Sequence, residues 1–468
     1  MLRAGFSRVF ITPPLNVELA GDGFGTGAGV HDELEAQALV MSNEKETVAV
    51  ITADLLMFGE ESVANVTRQV STLTGIGPGK VILSASHSHS TPTLMPLRQW
   101  GKVDAHYARN VESLLAGAVA MAAKNARRTL LGFGSGRVAN VSENRRVPGG
   151  PVDTEVGVLR FDEAEGELAA GTAAPSQPSQ LPVGAPSFSS TRPPAVSLKA
   201  FGRPMGLLTT FGCHPVTMHS YGNLFSADFP GHYRRLVRAV LGEHAVAQFA
   251  LGAAGDVNPA GYVRGGTSPA WAQQVGSILG CEAVRVALDP TYIDDPCLVV
   301  RSAVIELPLA PLPSRDELRT MREQFAAEAY RMKAAGAPWK EASIPAIQRD
   351  WAEDALREWD ATPARTVACG LQVVRIGEVV ILASPLELFA QTAIAIRAHS
   401  PARLTMFVTM ANGAIGYLPT QDAYEREDYS NPGGLAPRVY GVRAFAEGAE
   451  PAFRAAAASL LSSVFNAR

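Results

Sequence analysis

Two histidines two residues apart, in Ser86-His87-Ser88-His89-Ser90, stand out in a chain that has nine histidines among 468 residues. They end the apolar strand pattern KVILSA, and side chains at i and i+2 share a face of an extended chain, so both imidazoles address one point. An HxH pair at a strand end is a metal-ligand pattern; its plainer reading is a pair of loop histidines bonded to backbone. His214 has a similar setting, after the strand-like LLTTFG and before Pro215, which ends a ladder and sets a turn. His219, shortly beyond, is a weaker candidate that would orient its neighbours. Glu387 follows the buried-strand pattern EVVILASP and opens the helical pattern LELFAQTAIAI, where a carboxylate also suits the helix dipole. Two neutral imidazoles with one carboxylate are a common catalytic zinc set. They leave net positive charge on the ion and a position for water or substrate, and such an ion brings bound water to a pKa near about 7. The three residues lie 127 and 173 positions apart (214 − 87; 387 − 214), so only the fold can bring them together.

Strand and helix patterns alternate around these residues. ETVAVITADLLMF from Glu46 and KVILSASHSHS read as buried strands, while SVANVTRQVSTLTG, closed by Gly75, and DAHYARNVESLLAGAVAMAAKNA read as helices. LLGFGSGRV, EVGVLRF, GLLTTFGCHP and GLQVVRIGEVVILASP continue the strands. The rhythm predicts an α/β fold, a layered mixed-sheet domain taken as one unit over 1–468. Two stretches interrupt it. Residues 163–197 are rich in Ala, Pro, Ser and Gly and read as a flexible insertion. Residues 314–360 are charged and helical and read as a solvated helical insertion, which could serve a homo-oligomer contact. No period of about 20–50 residues repeats, which excludes solenoids and propellers.

Hydrophobic residues make up 47% and charged residues 18%, so the chain builds a core and is not disordered. Lys plus Arg is 41 against Asp plus Glu 45, and no basic cluster is dense enough to neutralise a phosphate backbone; nucleic acid is not an expected partner. Four scattered cysteines without a CxxC pair read as thiols of a reducing compartment. MLRAGFSRVFITPP lacks signal-peptide organisation, and no apolar run of about 18 residues could span a bilayer; together these predict a cytoplasmic location.

With those motifs in view, the chain resembles the neutral, non-lysosomal ceramidases, zinc-dependent amidases that hydrolyse the N-acyl bond of sphingolipids. SHSHSTP is similar to the family's T-H-T-H-S-G-P, ENRR around Arg145 to its N-R-S-P, and GCHP with SADFPG to its H-P-T and S-x-D-x-x-G segments. AAGDVNP is similar to N-x-G-D-x-S-P, SPLELF to P-x-E-F, and GYLPTQDAYEREDY to H-Y-x-T-T-x-E-E-Y-x-x-x-x-Y. With ITPP near the start, the landmarks fall in order along most of the chain. The resemblance implies zinc ligands His87, His214, Glu387 and Tyr417. It implies that His89, Arg145 and Tyr429 line the pocket and stabilise negative charge on the reacting acyl group. GFGTGAG, from Gly23 to Gly29, resembles a glycine-bearing loop beside the family's site. Asp228 and Asp256 are expected to orient a ligand histidine.

The chain also departs from the family. The ceramidases carry a nucleophilic serine in the segment aligned with Leu251–Asp256, and the position falls here on Gly252. An acyl-enzyme is therefore not expected, and metal-activated water becomes the nucleophile. The likeness ends soon after its last motif, so the family's carboxy-terminal β-sandwich is not expected either. The leading reading is a zinc-dependent hydrolase of an amide (N-acyl) bond in a small or lipid-like acyl substrate. One alternative is an esterase or lactonase on a small soluble carbohydrate-like or natural-product substrate, using the same metal site. Another is a non-catalytic, ligand-binding descendant.

Overall fold

The computed structural model describes residues 1–21, 25–164, 202–219, 221–262, 267–361, 365–426 and 434–466. Tyr429, Gly23 and nearly all of the 163–197 stretch lie outside the described residues.

Strands apolar on both faces build the centre. Along Glu35–Ser42 (β3), Ala36, Ala38 and Val40 point to one side and Leu39 and Met41 to the other, all buried, which is how a strand between two covered layers reads. The nine-stranded mixed sheet runs Val246–Leu251 (β11), Pro204–Phe211 (β9), Glu155–Glu163 (β8), Arg127–Arg137 (β6), Arg3–Phe10 (β1), β3, Thr47–Ala53 (β4) and Val81–Ala85 (β5), with Thr291–Ile293 (β13) added to β6. Only β11–β9 and β4–β5 are parallel within it. A four-stranded sheet, Leu298–Pro308 (β14), Thr366–Ile376 (β15), Val379–Ala383 (β16) and Leu404–Val408 (β18), ends in the parallel pair β16–β18. Three short pairs tie the loops: Gly29–Val30 (β2) with Leu224–Phe225 (β10), Ser142–Asn144 (β7) with Val257–Pro259 (β12), and Glu387–Leu388 (β17) with Tyr417–Leu418 (β19).

The two sheets pack face to face over one core, which includes Phe6, Met41, Val50, Phe161, Ile376, Ile381 and Val408. Helices Glu60–Thr74 (α1) and Ala105–Lys124 (α2) cover one half of the outer face of the large sheet, and Asp228–Leu241 (α3) with Pro269–Leu288 (α4) the other. Ala390–Ala398 (α7) and Ala449–Asn466 (α10) cover the small sheet, so the layers run helix, sheet, sheet, helix. Gly75 closes α1 at φ 75°, a conformation glycine adopts without penalty, and the Asp104 carboxylate caps α2 through the backbone N–H groups of His106 and Tyr107. Arg315–Ala334 (α5) and Trp339–Asp360 (α6) form a pair around their own small cluster of Leu318, Trp351, Ala352 and Ala355. The short helices Gln421–Tyr424 (α8) and Ala436–Tyr440 (α9) lie in the loops beyond β19. Among the described residues no helix is long and apolar enough to cross a membrane.

Each parallel pair lends its carboxyl end to one place. Loops leave β4, β5, β9, β11, β16 and β18 toward it, and open α/β sheets form their binding crevices at such ends. The Asn412 side chain accepts from Leu83 N–H and donates to Val81 O, and Thr409 Oγ1 donates to Gly252 O, which stitches the two sheets together there.

Candidate metal centre

His87 is reached by a turn and not by an extended strand. β5 ends at Ala85, the Ser86 and His87 N–H groups bond to Ala53 and Leu55 O, and His87 adopts φ 66°. The i, i+2 expectation thus fails for the backbone, yet the two imidazoles still meet, with His87 and His89 ring centroids 5.1 Å apart. Glu387 does not open a helix either. Pro385 and the bond from Glu387 N–H to Gly416 O hold it in β17, in register with Tyr417, and α7 starts only at Ala390. His214 follows β9, its N–H bonded to Val257 O at 3.0 Å.

All three side chains are buried, at 1–2% exposure. His87 Nδ1 lies 2.8 Å from Leu56 O, and His214 Nδ1 lies 2.6 Å from Ala254 O. A carbonyl only accepts, so each Nδ1 carries a proton, and in the neutral ring each Nε2 presents a lone pair. Both lone pairs face Glu387 Oε2, at 3.5 Å from His87 and 3.2 Å from His214. Among the described residues none of these three atoms has a hydrogen-bond partner. Burial, with the Arg145 charge, pushes the His214 imidazole down to about 4, so it is neutral at pH 7.

Lone pairs aimed at an anion without a cation between them are costly in a buried site. Donors about 2.0–2.1 Å from a tetrahedral ion stand about 3.3–3.4 Å apart, close to the two spacings seen, so the donor set fits zinc in chemistry and spacing. A second grouping competes: nitrogens of His87, His89 and His214 lie within 4.8 Å of one another. The two groupings share His87 and His214, and Glu387 Oε2 is the donor whose spacings to both, 3.5 and 3.2 Å, match neighbouring ligands of one ion. His89, whose nitrogens also lack a partner among the described residues, stands beside it, pressed by Gly21, where a Cβ would come 2.7 Å from its Nδ1. Its ring centroid is 5.8 Å from that of His214 and 5.9 Å from that of His219.

The expected carboxylate orienters do other work. Asp228 accepts from Thr217 Oγ1 and the N–H groups of Met218 and Phe229. Asp256 accepts from Asn144 Nδ2 at 2.8 Å and from Ala390 N–H at 2.7 Å, anchoring α7. Backbone carbonyls orient the histidines instead. Sequence reasoning missed Tyr440, whose hydroxyl donates to Glu387 Oε1 at 2.7 Å. Burial keeps that phenol protonated by raising it well above its ordinary value, so one carboxylate oxygen is held and the other faces the imidazoles. Nothing in RVYGV signals this contact, which exists only in three dimensions.

These groups open into a cavity of about 690 Å³ that also takes in Arg145, Tyr417, His219 and Asn258. Arg145 donates Nη2 to Gly255 O at 2.5 Å, and its guanidinium carbon lies 5.5 Å from the Tyr417 ring centre. His219 Nδ1 meets the Tyr262 hydroxyl at 2.7 Å. Leu56, Met57, Leu97, Trp100, Val216, Ile344, Leu435 and Val439 give the cavity an apolar wall. A larger cleft of about 1280 Å³, between the amino ends of α1 and α2 and the paired strands β14 and β15, is lined by neither histidine nor cysteine among the described residues.

Among solved structures, the chain resembles the neutral ceramidase from Pseudomonas aeruginosa with a TM-score of 0.70 and 17% identity, over 99% of this chain and 74% of that one. The fold is ceramidase-like. A ceramidase complexed with C2 matches it with a TM-score of 0.66 and 16% identity, over 99% of this chain and 75% of that one. No family model and no curated protein sequence matches the chain.

Proposed function

We propose that the chain is a zinc-dependent hydrolase of N-acyl amides whose acyl part is apolar. The observation that carries this reading is the convergence of three partnerless ligand atoms, on His87, His214 and Glu387, where His87 and Glu387 line an apolar-walled cavity and His214 stands behind them. These residues would hold the ion, with Tyr417 as a fourth ligand from the strand paired to Glu387. When bound, zinc supplies Lewis acidity that polarises an acyl carbonyl and acidifies nearby solvent. Arg145, aimed by Gly255 O, would receive the negative charge that builds on the acyl oxygen, and His89 and Tyr429 would bind the same end of the substrate. The apolar wall from Leu97, Trp100, Ile344 and Val439 would hold the acyl chain and exclude water. The ceramidases named above give the reaction class its precedent.

The chain offers no serine nucleophile at Gly252. That residue does not line the cavity, and a Cβ there would come 3.0 Å from Gly212 N and Phe211 C. Within Leu251–Pro259 the residue that faces the cavity is Asn258, which stands where N-x-G-D-x-S-P has its serine. An amide side chain does not form an acyl-enzyme, so solvent remains the nucleophile of this reading.

Purified zinc-loaded protein tested on N-acyl amides, matched esters and lactones decides the reading. Turnover of medium or long acyl amides, abolished together with zinc binding in His87→Ala, is the expected result. Faster turnover of lactones than of amides favours the esterase alternative. Amide binding without turnover makes the chain a binding protein and overturns the proposal.

A further inference from the structure

Three consecutive residues between Leu97 and Gly101 each bond to α6. Arg98 donates Nε and Nη2 to Asp354 Oδ2 at 2.7 and 2.5 Å, Gln99 Nε2 donates to Asp350 Oδ2 at 2.6 Å, and Trp100 Nε1 donates to Ser343 Oγ at 2.9 Å. The remaining nitrogen of the Arg98 fork, Nη1, donates to Arg438 O at 3.0 Å and to Gly441 O at 2.7 Å. The Arg98 backbone N–H bonds to Val439 O at 2.9 Å. Helix α6 adds Trp351, whose Nε1 donates to Val442 O at 2.7 Å and whose ring lies 4.2 Å beneath the Arg438 guanidinium. Residues 438, 439, 441 and 442 are thus all pinned, and between them Tyr440 reaches out to Glu387 Oε1.

We infer that Arg98 is a positioning residue of the metal centre, holding the Tyr440 hydroxyl on Glu387 Oε1 so that Oε2 alone faces the two imidazoles. The inference rests on the metal reading above. Its physical basis is geometric. A buried carboxylate with one oxygen tied presents the other in a single direction, whereas an untied one rotates and leaves Oε1 unsatisfied. Arg98 suits the task because a planar guanidinium can bond a carboxylate along one edge and two carbonyls along the other; a lysine ammonium cannot span that fork. On this view the α5–α6 pair is a buttress of the metal site as well as a cavity wall.

The test is a zinc dissociation constant, measured on the full chain by competition with a chromophoric chelator, for wild type, Tyr440→Phe, Arg98→Ala and the double variant. Residues that orient ligands typically change metal affinity roughly 10–100-fold. Each single variant should therefore weaken zinc binding by about tenfold or more, and the double should be no weaker than the worse single, because both act through one contact. An unchanged constant in Arg98→Ala overturns the inference, as do losses that multiply in the double. A merely structural role would lower thermal stability and leave the constant unmoved. Should Arg98→Ala fail to fold, Trp351→Phe removes only the bond to Val442 O and keeps a ring under Arg438. A severalfold weaker constant supports the inference there, and an unchanged one overturns it. Wild-type protein that binds no zinc sinks the metal reading and this inference with it, whereas wild-type binding with an indifferent Arg98→Ala sinks the inference alone.

Discussion

Replacing Glu387 by glutamine should move two properties in opposite directions. The variant keeps the shape of the side chain and removes its charge. In metal-free protein above the ordinary imidazole range, at pH 8.5, His87 Nε2, His214 Nε2 and Glu387 Oε2 face one another without donors. Each buried atom left in that state costs about 1–3 kcal/mol. With its oxygen on the Tyr440 hydroxyl, the glutamine amide can turn its two N–H bonds toward the two lone pairs. The gain should be about 2–4 kcal/mol. Unfolding entropy of about 2.1 cal/mol/K per residue comes to roughly 1 kcal/mol/K for a chain of 468 residues, so Tm should rise by about 2–4 °C. Zinc affinity should fall, because a structural zinc site is worth about 10–16 kcal/mol over three or four ligands, and losing one anionic ligand removes about 3–4 kcal/mol, or roughly 10²–10³-fold. Calorimetry on chelator-treated samples and a competitive zinc titration measure the two quantities. A metal-free variant that melts below wild type, or one that binds zinc as tightly, would refute the reasoning.

Three further outcomes follow from the same geometry. Burial depresses the His214 imidazole to about 4, so between about pH 6.5 and 4 the unfolded chain binds a proton that the folded chain does not. The metal-free protein should therefore be fully stabilised above pH 6.5 and lose about 3 kcal/mol from this group on acidification to pH 4; urea midpoints that rise as pH falls would contradict it. Arg145→Ala should leave zinc content unchanged and lower kcat by about 10²–10³-fold, a split that fails if zinc is lost or kcat holds. Gly252→Ser should cost about 1–3 kcal/mol, since its Cβ meets the Phe211–Gly212 backbone at 3.0 Å, and should add no activity; a faster variant would show that the position faces substrate.

The fold was legible where periodicity is strong. The runs in β4, β5, β9 and β16 are apolar on both faces, and Gly75 and Asp104 mark helix ends by local chemistry that any window of sequence contains, whereas β3 was not read as a strand. His87, His214 and Glu387 were legible as candidates because each follows such a strand. What holds them was not. The carbonyls of Leu56 and Ala254 that fix the tautomers carry no side-chain signature, and Tyr440 meets Glu387 only because Arg98 and α6 bend the chain back. The left-handed turn at His87 and the short β17–β19 pairing that displaces the start of α7 are tertiary outcomes, in which loop bonds override the local strand and helix patterns.

X-ray absorption at the zinc edge, on protein reconstituted with one equivalent of zinc, addresses the ligand set most directly. The spectrum expected is one zinc per chain with two imidazole nitrogens at about 2.0–2.1 Å, oxygen ligands at about 2.0–2.2 Å and no sulfur, with the imidazole scattering reduced in His87→Ala. Protein that retains no zinc after desalting, or a wild-type spectrum that His87→Ala and His214→Ala leave unaltered, would contradict a metal centre built on these residues.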